Sequence, residues 1–536
     1  MLFCATFAND MVKLLNPNDR FGLMLEWLAR SNYSNNQTIR QSNNQLRRSC
    51  SYFIFFVYLC KMAGVFRRCL IDWYFVMKRL FLLVALMAAT GMGVAQKAQE
   101  PETDPVILNR IAEWQDLKFG FMMHWGMYAQ WGVVESWSIC NEPWIDRKGM
   151  PYVEYKQRYQ ALNKTFNPTK FDASKMASLA KAAGMKYVVF TTKHHDGFCM
   201  FRSAETDYSV AGPECPYSRN AQPDITLDIV NAFRAEGMWT GLYFSKPDWH
   251  HKDYWAPEWA TPDRNVNYDI TEHPRRWENF KTFTHNQIRE LTHNYGDIDI
   301  LWLDGGWVRP EWSLNDETLP WLGCYRRIQD IDMDVLASIA RSDNPDLIIV
   351  DRSVGGRYEN YRTPEKQVPD TLLPYPWETC MTMGDSWSYV PGDHYKSTEQ
   401  LVHMLVDVVA KGGNLLLNVG PDADGNLPRE AVERMEQIGG WMDCNGVAIY
   451  GTRPLYPYCQ GNVRFTQSKD GKHRYAICLI EGSQTSVSFE IPYKVKRVKC
   501  IAPKNKRTVK CTATENGTLV DIVAAAPQYY AVTVEF

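Results

Sequence analysis

One carboxylate in this sequence has an unusual setting. Asp304 follows the apolar run 300–303, precedes two glycines, and lies between the indoles of Trp302 and Trp307. An apolar run closed by Gly-Gly is typical of a buried strand that ends in a tight loop. A carboxylate at such a strand end can act as a nucleophile or as a general base. Asp is also an ordinary turn residue, so a capping role stays open at this point.

A second carboxylate is needed if the chemistry is glycoside hydrolysis, in which one acid serves as nucleophile or base and the other as general acid. Glu359, Glu365 and Glu378 follow Asp304 in the chain, and their spacing does not choose among them. The sequence holds 19 Trp, 28 Tyr and 23 Phe, and such aromatic abundance is compatible with a carbohydrate site.

Adjacent histidines form a further cluster. His194 and His195 precede Asp196, and His124 lies upstream. Successive side chains alternate in an extended backbone, so we expect the two adjacent imidazoles to point in different directions. No His-x-His pair occurs, and we therefore predict sugar-binding imidazoles with no metal and no cofactor. A metal-dependent hydrolase remains an alternative.

Repeated strand and helix patterns predict the scaffold for these residues. Strand-like runs occur at 119–123, 186–191, 239–244, 299–303, 347–350, 414–419 and 447–450, with an eighth strand expected near 377–383. Alternating strands and helices indicate parallel strands, and residues 105–450 suit a (β/α)₈ TIM-like barrel. The polar clusters named above then follow strand ends, which in a barrel form the catalytic face.

Helix-start signals support the same organisation. Asp172 is a capping residue before an apolar periodic stretch, and Ser397-Thr-Glu-Gln400 has the form of a capping box. Pro428 suits the first position of another helix.

The chain changes character after Gly451. Seven short runs separated by turns predict a C-terminal antiparallel β-sandwich over 451–536. Cys500 and Cys511 flank an expected hairpin and could form a disulfide. The sequence contains no Cys-x-x-Cys motif.

The stretch 77–95 has the basic start, apolar centre and small-residue end of a signal peptide. We predict cleavage near Ala95, a linker over 96–104 and an exported mature chain, periplasmic, secreted or lysosome-like. Residues 1–76 are interpreted as a non-native upstream extension from a mis-assigned start. A membrane anchor at 52–60 or 80–95 is the alternative interpretation. Both runs are shorter than the ~20 residues of a spanning helix, so we expect no stable membrane span in the mature chain. A net charge of −2 gives no argument for a nucleic-acid partner.

Four ordered motifs resemble those of glycoside hydrolase family 29, the α-L-fucosidases. They are Lys118-Phe-Gly-Phe-Met-Met-His-Trp-Gly126, Lys186-Tyr-Val-Val-Phe-Thr-Thr-Lys-His-His-Asp-Gly-Phe198, Gly241-Leu-Tyr-Phe-Ser245 and Trp302-Leu-Asp-Gly-Gly-Trp307. They cover about residues 105–450 in the family's order. The resemblance implies an enzyme that acts on a fucosylated oligosaccharide or glycoconjugate; linkage preference and oligomeric state do not follow from it.

Residue by residue, the resemblance makes Asp304 the nucleophile and Glu365, in Tyr361-Arg-Thr-Pro-Glu365, the acid/base. Glu359 is kept as the alternative acid/base. The first-loop motif Glu135-Ser136-Trp137 has one residue more than the family's pair, and Trp387 is expected under the methyl group of the sugar. The implied substrate-binding residues are His124, Glu135, Trp137, His194, His195, Tyr243, Trp302, Arg352 and Trp387.

The implied reaction is exo-acting, retaining hydrolysis of terminal α-L-fucose by double displacement. Asp304 attacks the anomeric carbon while Glu365 protonates the leaving oxygen, and Glu365 then activates water. Retention requires the two carboxyl groups to lie about 5–5.5 Å apart. A non-catalytic carbohydrate-binding protein on the same barrel is the second alternative.

Overall fold

The computed structural model describes residues 101–260, 263–314, 328–501 and 507–536. The predicted upstream extension, the signal peptide and residues 96–100 of the linker lie outside the described residues. No helix within the described ranges is long and apolar enough to cross a membrane.

Seven parallel strands form the sheet that carries the candidate site. Their order across the sheet is β5-β4-β3-β2-β1-β7-β6. Nearly all of their residues are buried, which explains why the sequence shows continuous apolar runs rather than alternation. The strands are β1 Phe119–Met123, β2 Tyr187–Lys193, β3 Trp239–Ser245, β4 Ile300–Asp304, β5 Ile348–Asp351, β6 Glu378–Thr382 and β7 Asn414–Val419.

Helices supply the crossovers that parallel strands require. The Asp172 side chain accepts the Lys175 N–H and caps α3, and the capping box of Ser397 and Gln400 opens α7. The helices are α1 Pro105–Leu117, α2 Tyr152–Gln160, α3 Ala173–Ala182, α4 Ile225–Ala235, α5 Pro274–His293, α6 Met333–Ala340, α7 Thr398–Ala410 and α8 Arg429–Asn445. The helix predicted at Pro428 begins one residue later, at Arg429.

The strand predicted at 447–450 is wrong. These residues continue from α8 as the 3-10 turn Gly446–Ala448, and the Tyr450 N–H donates to the Gly446 carbonyl rather than to a sheet. An irregular segment, residues 359–365, instead spans the gap between β5 and β6. Glu359 forms an antiparallel bridge with Val350, and Glu365 forms a parallel bridge with Cys380 of β6. The strand expected near 377–383 is confirmed as β6.

Large side chains fill the inside of the barrel. Ile111 and Trp114 of α1 pack among the inward-facing strand residues, and the Trp114 ring stacks on Tyr361 at a centroid distance of 3.9 Å. Tyr187 reaches inward from β2 past Gly120 of β1, where an added Cβ would lie 2.3 Å from the Tyr187 ring. The barrel is therefore a packed core below its catalytic face, as expected for this fold.

The C-terminal region contains a five-stranded sheet, ordered β12-β15-β10-β9-β8, and a three-stranded sheet, ordered β11-β14-β13. The sheets share one apolar core, and the antiparallel sandwich predicted from the sequence is confirmed. The disulfide that the sequence left possible is not formed: Cys500 and Cys511 are both free, and they lie on strands of different sheets. The strands are β8 Thr452–Gln460, β9 Val463–Ser468, β10 Arg474–Leu479, β11 Gln484–Ile491, β12 Lys499–Ile501, β13 Arg507–Ala513, β14 Thr518–Gln528 and β15 Ala531–Glu535.

Barrel and sandwich contact each other directly. The indole N–H of Trp441 in α8 donates to the Ala531 carbonyl of β15 at 3.3 Å. Arg464 of β9 pairs with Asp407 of α7, and His403 of α7 contacts the Tyr530 carbonyl at 2.7 Å. These contacts tie the sandwich to the helical layer of the barrel, away from the strand ends that carry the candidate site.

Candidate active site

A cavity of about 250 Å³ lies at the carboxyl ends of the barrel strands. Its wall includes all eleven residues that the family resemblance implied for catalysis and substrate binding, but not the alternative acid Glu359. These residues are His124, Glu135, Trp137, His194, His195, Tyr243, Trp302, Asp304, Arg352, Glu365 and Trp387. Side chains from five strand ends and three loops thus converge on one cavity.

Asp304 is the last residue of β4, and its side chain is only 16% exposed. Its Oδ2 accepts the Tyr243 hydroxyl at 2.8 Å, and its Oδ1 accepts Arg352 Nη1 at 3.0 Å. Gly305 follows with a φ of +89°, and an added Cβ there would lie 2.2 Å from Pro247. Only glycine fits this turn without strain, which explains the first of the two glycines after the strand.

The same contacts set the charge of Asp304. Burial acts to raise the pKa of the Asp304 carboxyl, but the Arg352 guanidinium, His195 and the Tyr243 hydroxyl together hold that pKa well below its ordinary value. An opposite charge and a hydrogen-bond donor both favour the ionised form of a carboxyl group. Asp304 is therefore an anion throughout the neutral range, as a carboxylate nucleophile must be.

Glu365 lies across the cavity on the irregular segment 359–365. Arg352 Nη2 donates to its carboxylate, and Arg352 Nε donates to Thr363 on the same segment at 3.0 Å. One guanidinium therefore bridges Asp304 and Glu365. The Glu365 side chain is 46% exposed, so it lies at the open side of the cavity, where a leaving group would depart.

Glu359 is occupied elsewhere. Its two carboxylate oxygens accept the backbone N–H groups of Ser353 and Gly355, each at 2.9 Å, and it does not line the cavity. It fixes the turn after β5. Of the three acids that the sequence left open, Glu359, Glu365 and Glu378, the structure brings only Glu365 to the cavity that holds Asp304.

Three imidazoles line one side of the cavity. His124 Nδ1 contacts Asn418 Oδ1 at 2.8 Å, and His195 Nδ1 contacts Ser245 Oγ at 2.7 Å. His194 contacts Ser136 through Nδ1. Burial lowers the pKa of His124 and of His195 to about 4 and that of His194 well below its usual value. Neutral imidazoles with one nitrogen engaged can use the other to bind a sugar hydroxyl.

The expectation that His194 and His195 diverge is wrong. Strand β2 ends at Lys193, so the two residues lie in the following loop, where the alternation of an extended strand no longer applies. Their rings are 4.3 Å apart between centroids, and both face the cavity.

Aromatic rings form two walls of the cavity. Trp137 packs edge-on against His195 with a centroid distance of 5.4 Å, and Trp387 lies 5.0 Å from His124. Trp302 lies at the floor beneath Arg352, whose guanidinium carbon is 4.8 Å from the indole centroid. The extra residue in the first-loop motif therefore does not remove Trp137 from the site.

Glu135 is the third carboxyl group of the cavity. It is 2% exposed, and its Oε1 accepts the Ser388 N–H at 3.0 Å. Burial raises the pKa of Glu135 to about 7, against the lowering effect of that hydrogen bond. Near neutral pH its carboxyl group can therefore either donate or accept a hydrogen bond.

Several cavity residues were not nominated from the sequence: Met122, Arg264, Gly306, Trp307, Ser353 and Cys380. Trp307 belongs to the Asp304 motif and its ring lies 5.1 Å from His195, so the motif itself carried a signal for it. Arg264 comes from the long connection between β3 and α5 and pairs with Glu142 at 2.9 Å. No local pattern marks that arginine, because the tertiary fold alone brings the connection to the cavity.

One group among the described residues also has the composition of a metal site. Ligand atoms of His194, His195 and Asp304 lie within 4.8 Å of one another. Two imidazoles and one carboxylate suit a borderline divalent ion such as Zn²⁺. The metal-dependent alternative therefore keeps a structural basis and needs a direct test.

A parallel barrel with two carboxylates bridged by arginine at its carboxyl face defines the class of the protein, a glycoside hydrolase. The α-L-fucosidase family model matches residues 86–447, and the chain belongs to that family. The resemblance seen in the sequence motifs is thereby confirmed.

Curated and solved relatives agree with this assignment. The chain is 29% identical to the plasma α-L-fucosidase of Rattus norvegicus over 423 residues, which covers 75% of this chain and 84% of the relative. α-L-Fucosidase isoenzyme 1 from Paenibacillus thiaminolyticus is 30% identical with a TM-score of 0.65, covering 80% of this chain and 99% of that structure. The Thermotoga maritima α-fucosidase in complex with fucose is 25% identical with a TM-score of 0.59, covering 82% and 99%.

Proposed function

We propose that this protein is an exo-acting, retaining α-L-fucosidase with Asp304 as nucleophile and Glu365 as acid/base. The observation that carries the proposal is the Arg352 bridge, which brings these two carboxylates alone to opposite ends of one guanidinium in the cavity. A nucleophile must be ionised and buried, and a proton donor must reach the departing oxygen. Asp304 is the ionised and more buried of the two, and Glu365 is the more exposed one, at the open side of the cavity.

The reaction proceeds in two displacements. Asp304 Oδ forms a bond to the anomeric carbon as the glycosidic C–O bond breaks, and Glu365 delivers its proton to the leaving oxygen. Glu365, now ionised, takes a proton from water, whose oxygen attacks the anomeric carbon and releases Asp304. The two inversions leave the sugar in its original α configuration.

The rest of the cavity supports a single terminal sugar. Its volume of about 250 Å³ is below the ~300–1,000 Å³ of pockets for drug-sized ligands. Neutral His124, His194 and His195 offer nitrogens to hydroxyl groups, and the Trp387 ring offers an apolar surface to the methyl group of fucose. The Thermotoga relative was solved with fucose, which agrees with this choice of sugar.

Chemical rescue tests the two roles separately. We expect Asp304→Gly with azide to yield β-fucosyl azide from an aryl α-L-fucoside, because azide replaces the nucleophile from the opposite face. Glu365→Gly with azide should yield α-fucosyl azide, because azide attacks the covalent intermediate. NMR of the products reads the anomer directly. Glu359→Gln is the matched control: it should lower stability through its turn and show no azide product.

A first hydrolysis product of β configuration from the unmodified enzyme would contradict double displacement. The metal-dependent alternative, which the His194–His195–Asp304 group favours, is tested on the same aryl fucoside. We expect full activity after exhaustive chelation and dialysis. Loss of activity that Zn²⁺ restores would support the metal reading instead.

Export is the second part of the proposal. The signal-peptide pattern at 77–95 supports it, and relatives named plasma α-L-fucosidase are consistent with an extracellular enzyme. We expect amino-terminal sequencing of the protein expressed from Met77 in its native host to begin near Gln96. An uncleaved start at Met77 would contradict the predicted processing.

A further inference from the structure

We propose that Glu378 is a positioning residue: it fixes the positions of Asp304 and Glu365 through Trp302 and the 359–365 segment. Glu378 lies inside the barrel and outside the substrate cavity. This inference rests on the proposed roles of Asp304 and Glu365. Glu378 is the first residue of β6 and is fully buried.

Two hydrogen bonds cross the barrel interior to reach Glu378. The indole N–H of Trp302 on β4 donates to Glu378 Oε1 at 3.3 Å. The Tyr187 hydroxyl on β2 donates to Glu378 Oε2 at 2.5 Å. Three strands that are not neighbours in the sheet therefore meet at one carboxyl group.

The Trp302 indole passes this constraint to the nucleophile. The Tyr243 ring stacks on Trp302 at 5.3 Å with an interplanar angle of 26°, and the Arg352 guanidinium lies over the same indole at 4.8 Å. Tyr243 and Arg352 each donate a side-chain hydrogen bond to an oxygen of Asp304. A rotation of the indole would thus displace both partners of the nucleophile together.

The carboxyl group of Glu378 also faces the segment that carries the acid/base, because the Tyr361 hydroxyl of that segment lies beside it. The backbone N–H of Glu378 donates to the Arg362 carbonyl at 2.8 Å. Two residues further along β6, Cys380 forms the bridge to Glu365. On its other side the segment is held by β5, through the Glu359 bridge and the Asn360 N–H, which donates to the Ile349 carbonyl at 3.0 Å. The contacts with β6 therefore fix the second side of the segment that carries Glu365.

A carboxyl group is a costly choice for a packed interior, since a buried polar group without partners loses free energy. Residues of this kind are often retained for function rather than for stability. Burial raises the pKa of Glu378 to about 7, so near neutral pH the group is partly protonated and can be replaced by the neutral, nearly isosteric glutamine. An apolar side chain at 378 would instead leave the Trp302 N–H without an acceptor.

The test compares kcat and KM per folded molecule for Glu378→Gln, Glu378→Leu and Thr379→Val on an aryl fucoside. We expect E378L to lower kcat about 30- to 100-fold, because misplacement by about 1 Å costs about 10²-fold, while KM changes less than about 3-fold. E378Q keeps the acceptor for Trp302 and should remain within about 5-fold of the original kcat. T379V alters a buried neighbour on the same strand that does not line the cavity and should leave kcat unchanged.

A purely structural role predicts something else: a lower Tm for E378L with the original kcat per folded molecule. That result, or an E378Q loss as large as that of E378L, would overturn the proposal.

If E378L does not fold, Tyr187→Phe decides, because it releases the other oxygen of Glu378. We expect Y187F to lower kcat about 3- to 10-fold at constant KM, and an unchanged kcat would overturn the proposal. Absence of fucosidase activity in the unmodified enzyme would instead refute the proposed function.

Discussion

At the scale of single residues, the carboxyl groups of the site differ in pKa because their surroundings differ. Asp304 is buried yet ionised, because a cation and a phenol hold its charge. Glu135 is more deeply buried, and the Ser388 N–H and the charge of Lys366 do not offset the cost of burial, so its pKa rises to about 7. Groups of one chemical type thus acquire different roles through their neighbours.

Tyr243→Phe tests how much one donor contributes to the ionisation of Asp304. Loss of the 2.8 Å hydrogen bond should raise the pKa of Asp304 and move the acid limb of the kcat/KM profile upward by about 1 pH unit, with about a 10-fold loss at the optimum. A pH–rate profile measures both effects. Tyr159→Phe is the control, since this buried tyrosine bonds Asp196 rather than Asp304. An unmoved acid limb in Y243F would argue against the assigned nucleophile.

At the scale of elements, the catalytic face depends on close packing of the helices around the sheet. α8 contains two consecutive glycines, of which only the first faces α3. An added Cβ at Gly439 would lie 2.2 Å from the Ala182 carbonyl oxygen, whereas a Cβ at Gly440 meets nothing within 4 Å. Glycine is therefore required at 439 by the close approach of α8 to α3, and not by the helical conformation, which both glycines share.

This pair gives a prediction with an internal control. Gly439→Ala should destabilise the protein by about 1–3 kcal/mol, since an inserted methyl group forces α8 away from α3. Gly440→Ala should stabilise it by up to about 1 kcal/mol, because alanine loses less backbone entropy in a helix. Thermal unfolding followed by circular dichroism measures both changes. Equal effects of the two substitutions would contradict the observed packing.

At the scale of the whole molecule, buried titratable groups couple stability to pH in opposite directions. The imidazoles of His124 and His195 stay neutral down to about pH 4, so their contribution to stability falls as the pH drops below 6.5. Glu378 does the reverse: its pKa is raised from 4.5 to about 7, so its contribution is complete below 4.5 and is lost as the pH rises through 7.

Glu378→Gln isolates one of these contributions. The difference in stability between E378Q and the original protein should shift in favour of E378Q as the pH rises from about 4.5 to 7, by up to about 3 kcal/mol. Denaturant unfolding at several pH values measures the difference. Glu481→Gln, at an exposed position of the sandwich, serves as the control and should give a difference that does not vary with pH in this way. A constant difference for E378Q would mean that Glu378 ionises alike in the folded and unfolded states.

The sequence by itself determined the strands of the barrel, the sandwich and the polar residues that follow the strand ends. These features depend on local patterns of apolar residues, glycines and caps, and parallel strands necessarily bring their carboxyl ends to one face. The same reasoning placed Asp304 and the histidines in one region, and the family resemblance added Tyr243 and Arg352 to it.

Only the tertiary structure decided the rest. It separated Glu365 from Glu359 by giving the latter two backbone partners, brought Arg264 into the cavity from a distant connection, and closed the gap beside β6 with segment 359–365. It turned the expected strand at 447–450 into a 3-10 turn and left Cys500 and Cys511 on different sheets. Each of these outcomes depends on distances between residues far apart in the chain, which packing sets and local patterns do not encode.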